Sequence, residues 1–305
     1  MDSQKKYLVV IAGPTAVGKT AVSIKLAKLF KTVVLNADSR QFYKELNIGT
    51  AKPTNEELKE VEHYFMNTKN VTELYGAGHF ANDARNLIHK LFETHEVLIL
   101  VGGSGLYINA LLNGVDEFDE VPINIRENLN IIHEKKGLQV LVEMLLEKDP
   151  VYAKSIDIKN PQRVIRALEI ITHTGKPFSS YLKSQVQSHS FTSINLLLNM
   201  ERDALYKRIN QRVDDMMQKG LLDEVKNLVG YKNYNALKTV GYKELFAYLD
   251  GECMLAEAVD KIKQHTRNYA KRQLTWFNNK GNFNTFHPED LDGIVRYINL
   301  KIQHA

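Results

Sequence analysis

The sequence predicts an α/β fold in which a doubly wound parallel sheet carries a helical insertion. Three observations support this prediction. Short, continuous apolar runs recur along the chain and end at turn-forming residues, as in parallel strands that are buried on both faces. Helix-period patterns separate these runs, which is the alternation of a doubly wound sheet. A long charged stretch without strand-like runs interrupts the series and indicates the insertion.

The first strand is predicted at Tyr7–Ala12, an apolar run rich in β-branched residues. A glycine-containing loop follows, and residues 20–30 then place apolar side chains at helical spacing. Further strands are predicted at residues 32–35, 97–101 and 194–198, where apolar runs again stop at turn-type residues. This order of strand, loop and helix is typical of a parallel α/β sheet.

The insertion is predicted at residues 115–193, where the strand signal vanishes. Charged helical patterns occupy residues 138–147 and 161–172, and a Ser- and Gln-rich segment closes the region. The α/β core is therefore predicted to comprise residues 1–114 and 194–305, the latter including C-terminal helices.

The composition of the 305-residue chain is that of an ordinary globular protein, with 44% hydrophobic and 25% charged residues. The single cysteine, Cys253, excludes an internal disulfide and a cysteine-rich zinc site, and the ten histidines show no HExxH spacing. No apolar run approaches the roughly 18 residues that would predict a membrane span. The sequence therefore predicts a soluble, cytoplasmic protein without a membrane partner, and we expect it to act as a monomer.

The formal net charge of +4 is too small to indicate a nucleic-acid-binding protein, but the charge is unevenly distributed. Residues 261–272 contain five Lys or Arg and no acidic residue, and Lys263, Arg267 and Lys271 share one face of a helix. On this observation alone a solvated helix face is the favoured explanation, with a basic binding surface as the alternative.

Residues 13–20 read GPTAVGKT and match the phosphate-binding pattern GxxxxGK[ST] between a predicted strand and a predicted helix. Two glycines let the backbone turn its N–H groups toward an anion, the helix N-terminus adds positive potential, and Lys19 adds a mobile charge. Thr20 can ligate a Mg²⁺ ion that is shared with the phosphates. The core is thus predicted to be of the P-loop type. The predicted diphosphate-binding residues are Gly13, Pro14, Thr15, Ala16, Val17, Gly18, Lys19 and Thr20.

An enzyme that hydrolyses a nucleoside triphosphate also needs a strand that ends in a carboxylate to help hold Mg²⁺. The strand at residues 97–101 ends instead in GGSG at residues 102–105, which provides no acid. We expect these glycines to allow the close approach of a ligand beside the Ser104 hydroxyl, with a simple tight turn as the alternative.

Asp38 is a carboxylate that is well placed to act on a bound ligand, because it follows the second predicted strand, in the segment NADSRQ. Ligands of an open parallel sheet bind outside the carboxyl ends of the strands, so Asp38 should share a crevice with the phosphate loop. It can act there as a base, or it can cap a following helix. Spacing alone does not distinguish the two roles.

Several further blocks make the chain resemble the bacterial type of the tRNA dimethylallyltransferases, also called tRNA isopentenyltransferases, over nearly its whole length. The blocks occur in the family's order. They are GPTAVGKT at 13–20, NADSRQFY and NIGTAKPT within 36–54, LVGGSGLYINALL at 100–112, NPQRVIRALEI and TGKPFS within 160–179, RVDDMMQKGLLDEV at 212–225, and TVGYKEL and YAKRQLTWF within 239–277.

The resemblance implies transfer of a dimethylallyl group from its diphosphate to N6 of adenosine 37, in tRNAs that read codons beginning with U. The phosphate loop would hold the diphosphate leaving group with Mg²⁺ as cofactor. The missing strand-end acid fits this reaction, because no γ-phosphate is hydrolysed. The implied partners are dimethylallyl diphosphate and the tRNA anticodon stem-loop.

The resemblance also implies roles for individual residues. Asp38 would be the general base, Ser104 would lie near the diphosphate and the target base, and Arg126 would stabilise the leaving diphosphate through its planar guanidinium. Residues 115–193 would clamp the anticodon stem-loop, and the basic stretch would contact tRNA phosphates. The implied tRNA contacts are Asp38, Ser39, Arg40, Gln41, Gln162, Arg163 and Arg166.

Arg208 and Arg212 are weaker candidates for binding the diphosphate, and a surface helix face explains their spacing equally well.

Three other functions share parts of the pattern. A small-molecule kinase has a similar phosphate loop, a non-catalytic RNA-binding module would account for the basic stretch, and an adenylate isopentenyltransferase performs the same chemistry on free nucleotides. The helical insertion favours tRNA over a free nucleotide.

Overall fold

The computed structural model describes residues 5–114, 121–182 and 190–304. Its strands form one parallel sheet in the order β3-β2-β4-β1-β5-β6, which confirms the predicted α/β fold. The strands are β1 (Tyr7–Ala12), β2 (Val34–Asn36), β3 (His63–Tyr64), β4 (Val97–Gly102), β5 (Thr192–Leu198) and β6 (Asn284–Phe286).

Helices follow the strands as the periodicity predicts. The first group is α1 (Lys19–Leu29), α2 (Asn55–Glu60), α3 (Ala77–Leu91) and α4 (Gly105–Asn113). The second group is α5 (Ile123–Lys136), α6 (Leu138–Lys148), α7 (Pro150–Ser155) and α8 (Pro161–Thr174). The third group is α9 (Arg202–Gln218), α10 (Leu221–Asn227), α11 (Tyr242–Leu249), α12 (Leu255–Lys280) and α13 (Leu291–Gln303). No helix among the described residues is long and apolar enough to cross a membrane.

The central strand β1 shows why its apolar run is continuous. Val9 and Ile11 point into a core on one face of the sheet, which α1, α9 and α13 also line. Leu8 and Val10 point into a second core on the other face, which α3 and α4 cover. Because both faces of the sheet are buried, every position along the strand must be apolar.

The chain divides into two compact units. The first contains Met1–Leu112 and Ser188–Ala305, and the second contains Asn113–Gln187. The second unit has its own apolar core, built from α5 to α8, and its described residues contain no strand. The predicted first residue of the insertion, 115, belongs to segment 115–120, which lies outside the described residues, as does segment 183–189. The predicted last residue, Ser193, lies within β5. Use of this unit as a tRNA clamp stays a prediction.

Two strands escaped the sequence patterns. β3 and β6 are two and three residues long, lie at the edges of the sheet, and contain no fully buried residue. Short, half-exposed edge strands protect a sheet against further pairing, but they leave no apolar run to detect.

Candidate active site

Three neighbouring strands carry the candidate site. The sheet order places β4 between β2 and β1, and all three run parallel. The segments that follow them therefore meet at one edge of the sheet: Asp38 after β2, the GGSG turn after β4 and the phosphate loop after β1. A cavity of about 630 Å³ opens there. Among its lining residues are Lys19, Thr20, Asp38, Arg208, Arg212 and Tyr269.

The phosphate loop is built around two glycines with positive φ. Gly13 has a φ of +156°, and a Cβ atom there would lie 2.7 Å from the Leu198 carbonyl oxygen. Gly18 has a φ of +105° and begins α1 without a side-chain cap, so the first amides of the helix remain available to an anion. Val17 is instead fully buried in the core of the sheet.

Lys19 is folded back onto the loop. Its Nζ donates hydrogen bonds to the carbonyl oxygens of Gly13 at 3.0 Å and Pro14 at 2.8 Å. Burial lowers the pKa of Lys19 to about 8, the Asp38 carboxylate opposes this shift, and the Arg212 guanidinium adds to it. An arriving diphosphate would restore the charge of the amine.

This pKa predicts a pH dependence for capture of an anionic substrate. As pH rises through about 8, Lys19 in the free protein loses its proton and its attraction for a diphosphate. We expect kcat/KM for the diphosphate substrate to fall about tenfold per pH unit above that value, because this parameter reports ionisation of the free enzyme. Lys19→Arg keeps the charge at every accessible pH, so its profile should lack this limb. An unchanged limb in Lys19→Arg would assign it to another group.

Asp38 caps a turn and not a helix. Its Oδ1 accepts the N–H of Arg40 at 2.9 Å, and the residues after β2 form turns until α2 begins at Asn55. The alternative role as a helix cap is therefore wrong. The carboxylate lines the cavity and interacts electrostatically with Lys19 and Arg212.

Ser104 links the turns that follow β2 and β4. It is 9% exposed, its Oγ accepts the N–H of Ser39 at 3.0 Å, and its hydroxyl interacts with the phenol oxygen of Tyr269. The hydroxyl thus lies beside the segment that carries Asp38, and its own hydrogen bonds hold it there.

The glycines around Ser104 pack closely against other parts of the protein. A Cβ atom would collide with the Ala37 backbone at Gly102, with the Gln273 amide at Gly103 and with the Trp276 ring at Gly105. These glycines thus admit the close approach of the protein's own groups, and the expected approach of a ligand stays a prediction.

Ser39, Arg40 and Gln41 also line the cavity, and the side chains of Arg40 and Gln41 are engaged. The Arg40 Nη1 donates to the Asn235 carbonyl oxygen at 3.1 Å. Gln41 is 9% exposed, and its Nε2 donates to the Thr50 carbonyl oxygen at 3.1 Å. Gln41 therefore holds the wall of the cavity, a placement that does not favour direct contact with a large tRNA.

Arg208 and Arg212 both face the cavity from α9. Arg212 donates to the Thr50 carbonyl oxygen at 3.4 Å, and burial lowers its pKa while Asp38 opposes the shift. A surface helix face is therefore the wrong interpretation for Arg212. Its charge lies where an anion would bind, so Arg212 is a stronger candidate than its spacing alone suggested.

The predicted residues of the second unit gather around a buried acid. Arg126 donates to the Gln162 Oε1 at 3.0 Å, and its Nε lies 3.5 Å from the Glu169 Oε1. Arg166 pairs with the other Glu169 oxygen at 3.3 Å. Glu169 is 2% exposed and so must be paired, whereas Arg163 is exposed at the start of α8. Glu169 was missed because an acid on a helix resembles a solvated residue.

The basic face of α12 is only partly free. Lys263 pairs with Asp214 at 2.6 Å, and Arg267 donates to the Asn210 Oδ1 at 2.6 Å. Both partners belong to α9. The prediction that this whole face contacts tRNA phosphates is therefore corrected, because these two side chains bind the neighbouring helix. Lys271 remains exposed.

Two residues of α12 belong to the site although no motif assigned them a role. Tyr269 lines the cavity, and burial, assisted by Asp38, raises its pKa to about 12. Gln273 also lines the cavity and is 6% exposed. A detectable signal existed, because Gln273 interrupts the buried stripe of α12 that includes Ile262, Ala270 and Phe277.

The chain is similar to known proteins over nearly its whole length. A tRNA dimethylallyltransferase of Cytophaga hutchinsonii is 46% identical over 303 residues, which cover 99% of this chain and 100% of the relative. Likewise, tRNA dimethylallyltransferase 1 of Bacteroides thetaiotaomicron is 45% identical over 294 residues, which cover 96% of this chain and 96% of the relative.

Solved structures give the same result. A full-length tRNA isopentenylpyrophosphate transferase of Bacillus halodurans matches with a TM-score of 0.72 and 39% identity, over 99% of this chain and 97% of the other. A eukaryotic dimethylallyltransferase acting on tRNA matches with a TM-score of 0.80 and 29% identity, over 97% of this chain and 77% of the other. Residues 41–280 match the family described as IPP transferase, and the chain therefore belongs to that family.

Proposed function

We propose that this chain transfers a dimethylallyl group from dimethylallyl diphosphate to N6 of adenosine 37, in tRNAs that read codons beginning with U. The products are N6-dimethylallyladenosine and diphosphate. The observation that carries the proposal is that the phosphate loop, Asp38 and Arg212 share one cavity of the α/β unit. The full-length relatives, whose names state the same reaction class, support it.

The residues divide the reaction between them. The amides at the start of α1 bind the diphosphate, and Lys19 leaves the Gly13 and Pro14 carbonyls to pair with it. The adenine N6 attacks the allylic C1, the C1–O bond breaks, and its electron pair leaves with the diphosphate. The N6 proton passes to the Asp38 carboxylate. Arg212 adds positive charge where negative charge collects.

The target base must leave the stacked anticodon loop to reach this cavity. Flipping costs a few kcal/mol, and less from a loop than from a duplex. Tyr269 lines the cavity with Asp38 and offers its phenol group to a base that enters, while Ser104 accepts the Ser39 N–H and interacts with Tyr269.

We propose Mg²⁺ as the cofactor, with Thr20 as its protein ligand. Thr20 and Asp38 supply oxygen atoms to the cavity, and Mg²⁺ prefers oxygen ligands and binds largely through substrate phosphates. Within the described part of the chain, no group of three or more His, Cys, Asp or Glu could hold a metal unaided. The donor set therefore fits an ion that arrives with the diphosphate. Bound there, it would neutralise charge on the leaving group.

The helical unit is proposed to clamp the anticodon stem-loop. Gln162 and Arg163 lie in the first turn of α8, where Arg163 is exposed. Glu169 pairs with Arg126 and Arg166, so the charge of Arg166 is held in place before an RNA arrives. Arg126 keeps its proposed role of stabilising the leaving diphosphate. We propose that the protein acts as a monomer, and the tRNA substrate supports a cytoplasmic location.

Neutralising Arg163 should weaken tRNA binding through loss of one phosphate contact. We expect Arg163→Gln to raise the Kd for tRNA and to reduce the slope of log Kd against log salt concentration by about 0.7 to 0.9. Lys25→Gln, an exposed residue of α1, is the matched control and should leave the slope unchanged. Equal slopes in Arg163→Gln and the wild-type protein would remove Arg163 from the interface.

The experiment that tests the function offers the protein several substrates. Labelled dimethylallyl diphosphate, Mg²⁺ and unmodified tRNA should yield labelled tRNA, free diphosphate and a dimethylallyl mass gain on adenosine 37. Transfer to free adenosine nucleotides at comparable kcat/KM would instead identify an adenylate isopentenyltransferase. ATP turnover without transfer would identify a kinase, and RNA binding without either reaction would identify a binding module.

A further inference from the structure

One buried side chain joins two parts of the candidate site that are far apart in sequence. The Gln273 Oε1 accepts the Thr15 N–H at 2.9 Å, and the Gln273 Nε2 donates to the Gly103 carbonyl oxygen at 2.9 Å. These contacts span 258 and 170 positions of the chain. Thr15 belongs to the phosphate loop, and Gly103 belongs to the turn after β4.

The burial of Gln273 makes both hydrogen bonds consequential. It is 6% exposed and lies on the apolar stripe of α12, where an amide left without a hydrogen-bond partner destabilises the fold. The amide pairs at both ends and so avoids this destabilisation. Gly103 permits the arrangement, because a Cβ atom at that position would collide with the Gln273 Nε2.

The two ends of this amide contact two segments with different proposed roles in the reaction. Thr15 precedes the amides that would hold the diphosphate, and its own N–H is already bonded to Gln273. Gly103 precedes Ser104, whose Oγ accepts the N–H of Ser39, the neighbour of Asp38. Gln273 therefore connects the diphosphate loop to the turn that carries the proposed base.

We propose that Gln273 is a positioning residue that sets the spacing between the diphosphate loop and the turns that carry Ser104 and Asp38. The inference rests on the proposed transferase function. It requires no contact between Gln273 and substrate. Its effect arises because a displacement of about 1 Å between reacting groups can lower the rate about 10²-fold.

Two substitutions separate the two ends of the amide. In Gln273→Glu an oxygen can still accept the Thr15 N–H, but the other oxygen faces the Gly103 carbonyl without a proton. We expect kcat to fall about 10- to 100-fold while KM for dimethylallyl diphosphate stays within about threefold. In Gln273→Met both bonds are lost, so that KM should also rise about tenfold.

A pH series distinguishes positioning from simple loss of stability. Burial raises the pKa of the introduced carboxyl group, and its protonated form can donate to the Gly103 carbonyl as the amide did. The ratio of kcat in Gln273→Glu to kcat in the wild-type protein should therefore increase as pH is lowered from about 8 to about 6. Because protonation also restores the stability of this variant, kcat is expressed per folded protein, with the folded fraction measured at each pH. A trend that disappears after this correction would show a purely structural defect.

The outcomes are distinguishable. Gln303→Glu makes the same chemical change at an exposed position of α13 and should match the wild-type protein throughout. If both Gln273 variants remain folded and keep kcat and KM within about twofold, the positioning role is wrong. If only the melting temperature changes, Gln273 is structural and the inference also fails. If the wild-type protein itself transfers no prenyl group to tRNA, the proposed function fails instead.

Discussion

Asp38→Asn should lower kcat for dimethylallyl transfer by about 10²- to 10⁴-fold, which is the usual contribution of a positioned base. The asparagine oxygen can still accept the Arg40 N–H, so the turn after β2 should keep its shape. The variant loses only the proton acceptor and the negative charge. Single-turnover transfer from labelled dimethylallyl diphosphate measures the effect without interference from product release.

Asp157→Asn is a matched control for this change. The Asp157 Oδ1 accepts the N–H of Lys159 at 3.1 Å, the same two-residue turn that Asp38 forms, but at an exposed site. It should keep wild-type kcat. A second consequence follows from the charge, because Asp38 opposes the lowering of the Lys19 pKa. Asp38→Asn should therefore lower that pKa further. Retention of kcat within about threefold would exclude Asp38 as the base.

Lys19→Ala should lower kcat/KM for dimethylallyl diphosphate by about 10²- to 10³-fold, comparable to the loss of one preorganised donor at a developing negative charge. The side chain is the cation of the phosphate loop and donates to the Gly13 and Pro14 carbonyl oxygens of that loop. Titration with inorganic diphosphate should show a matching loss of affinity, while the Kd for tRNA stays unchanged.

Lys25→Ala provides the comparison for this prediction, because Lys25 lies on the exposed face of the same helix. It should bind inorganic diphosphate as the wild-type protein does. Undiminished diphosphate affinity in Lys19→Ala would show that the loop does not use its lysine, and the assignment of the cavity as a diphosphate site would then lose its main support.

The strands and the site differ in how far the sequence predicts them. β1 occupies Tyr7–Ala12 as predicted, because a run that is buried on both faces must be apolar at every position. The helix α8 begins at Pro161 behind an Asn160 cap, which is a local signal. In contrast, Lys263 and Arg267 look like a free basic face in the sequence but bind α9 in the structure.

The sequence by itself determined what depends on contiguous residues: the phosphate loop, the parallel strands, Asp38 after β2 and the family blocks. In each case the residues concerned are close together in the sequence, so their separation along the chain determines their separation in space. Only the tertiary structure decided that Arg212 faces the cavity, that Glu169 holds two arginines and that Gln273 joins two loops. A buried polar group takes its partners from whichever backbone packs against it, and those partners lie too far away in the sequence for spacing to reveal them.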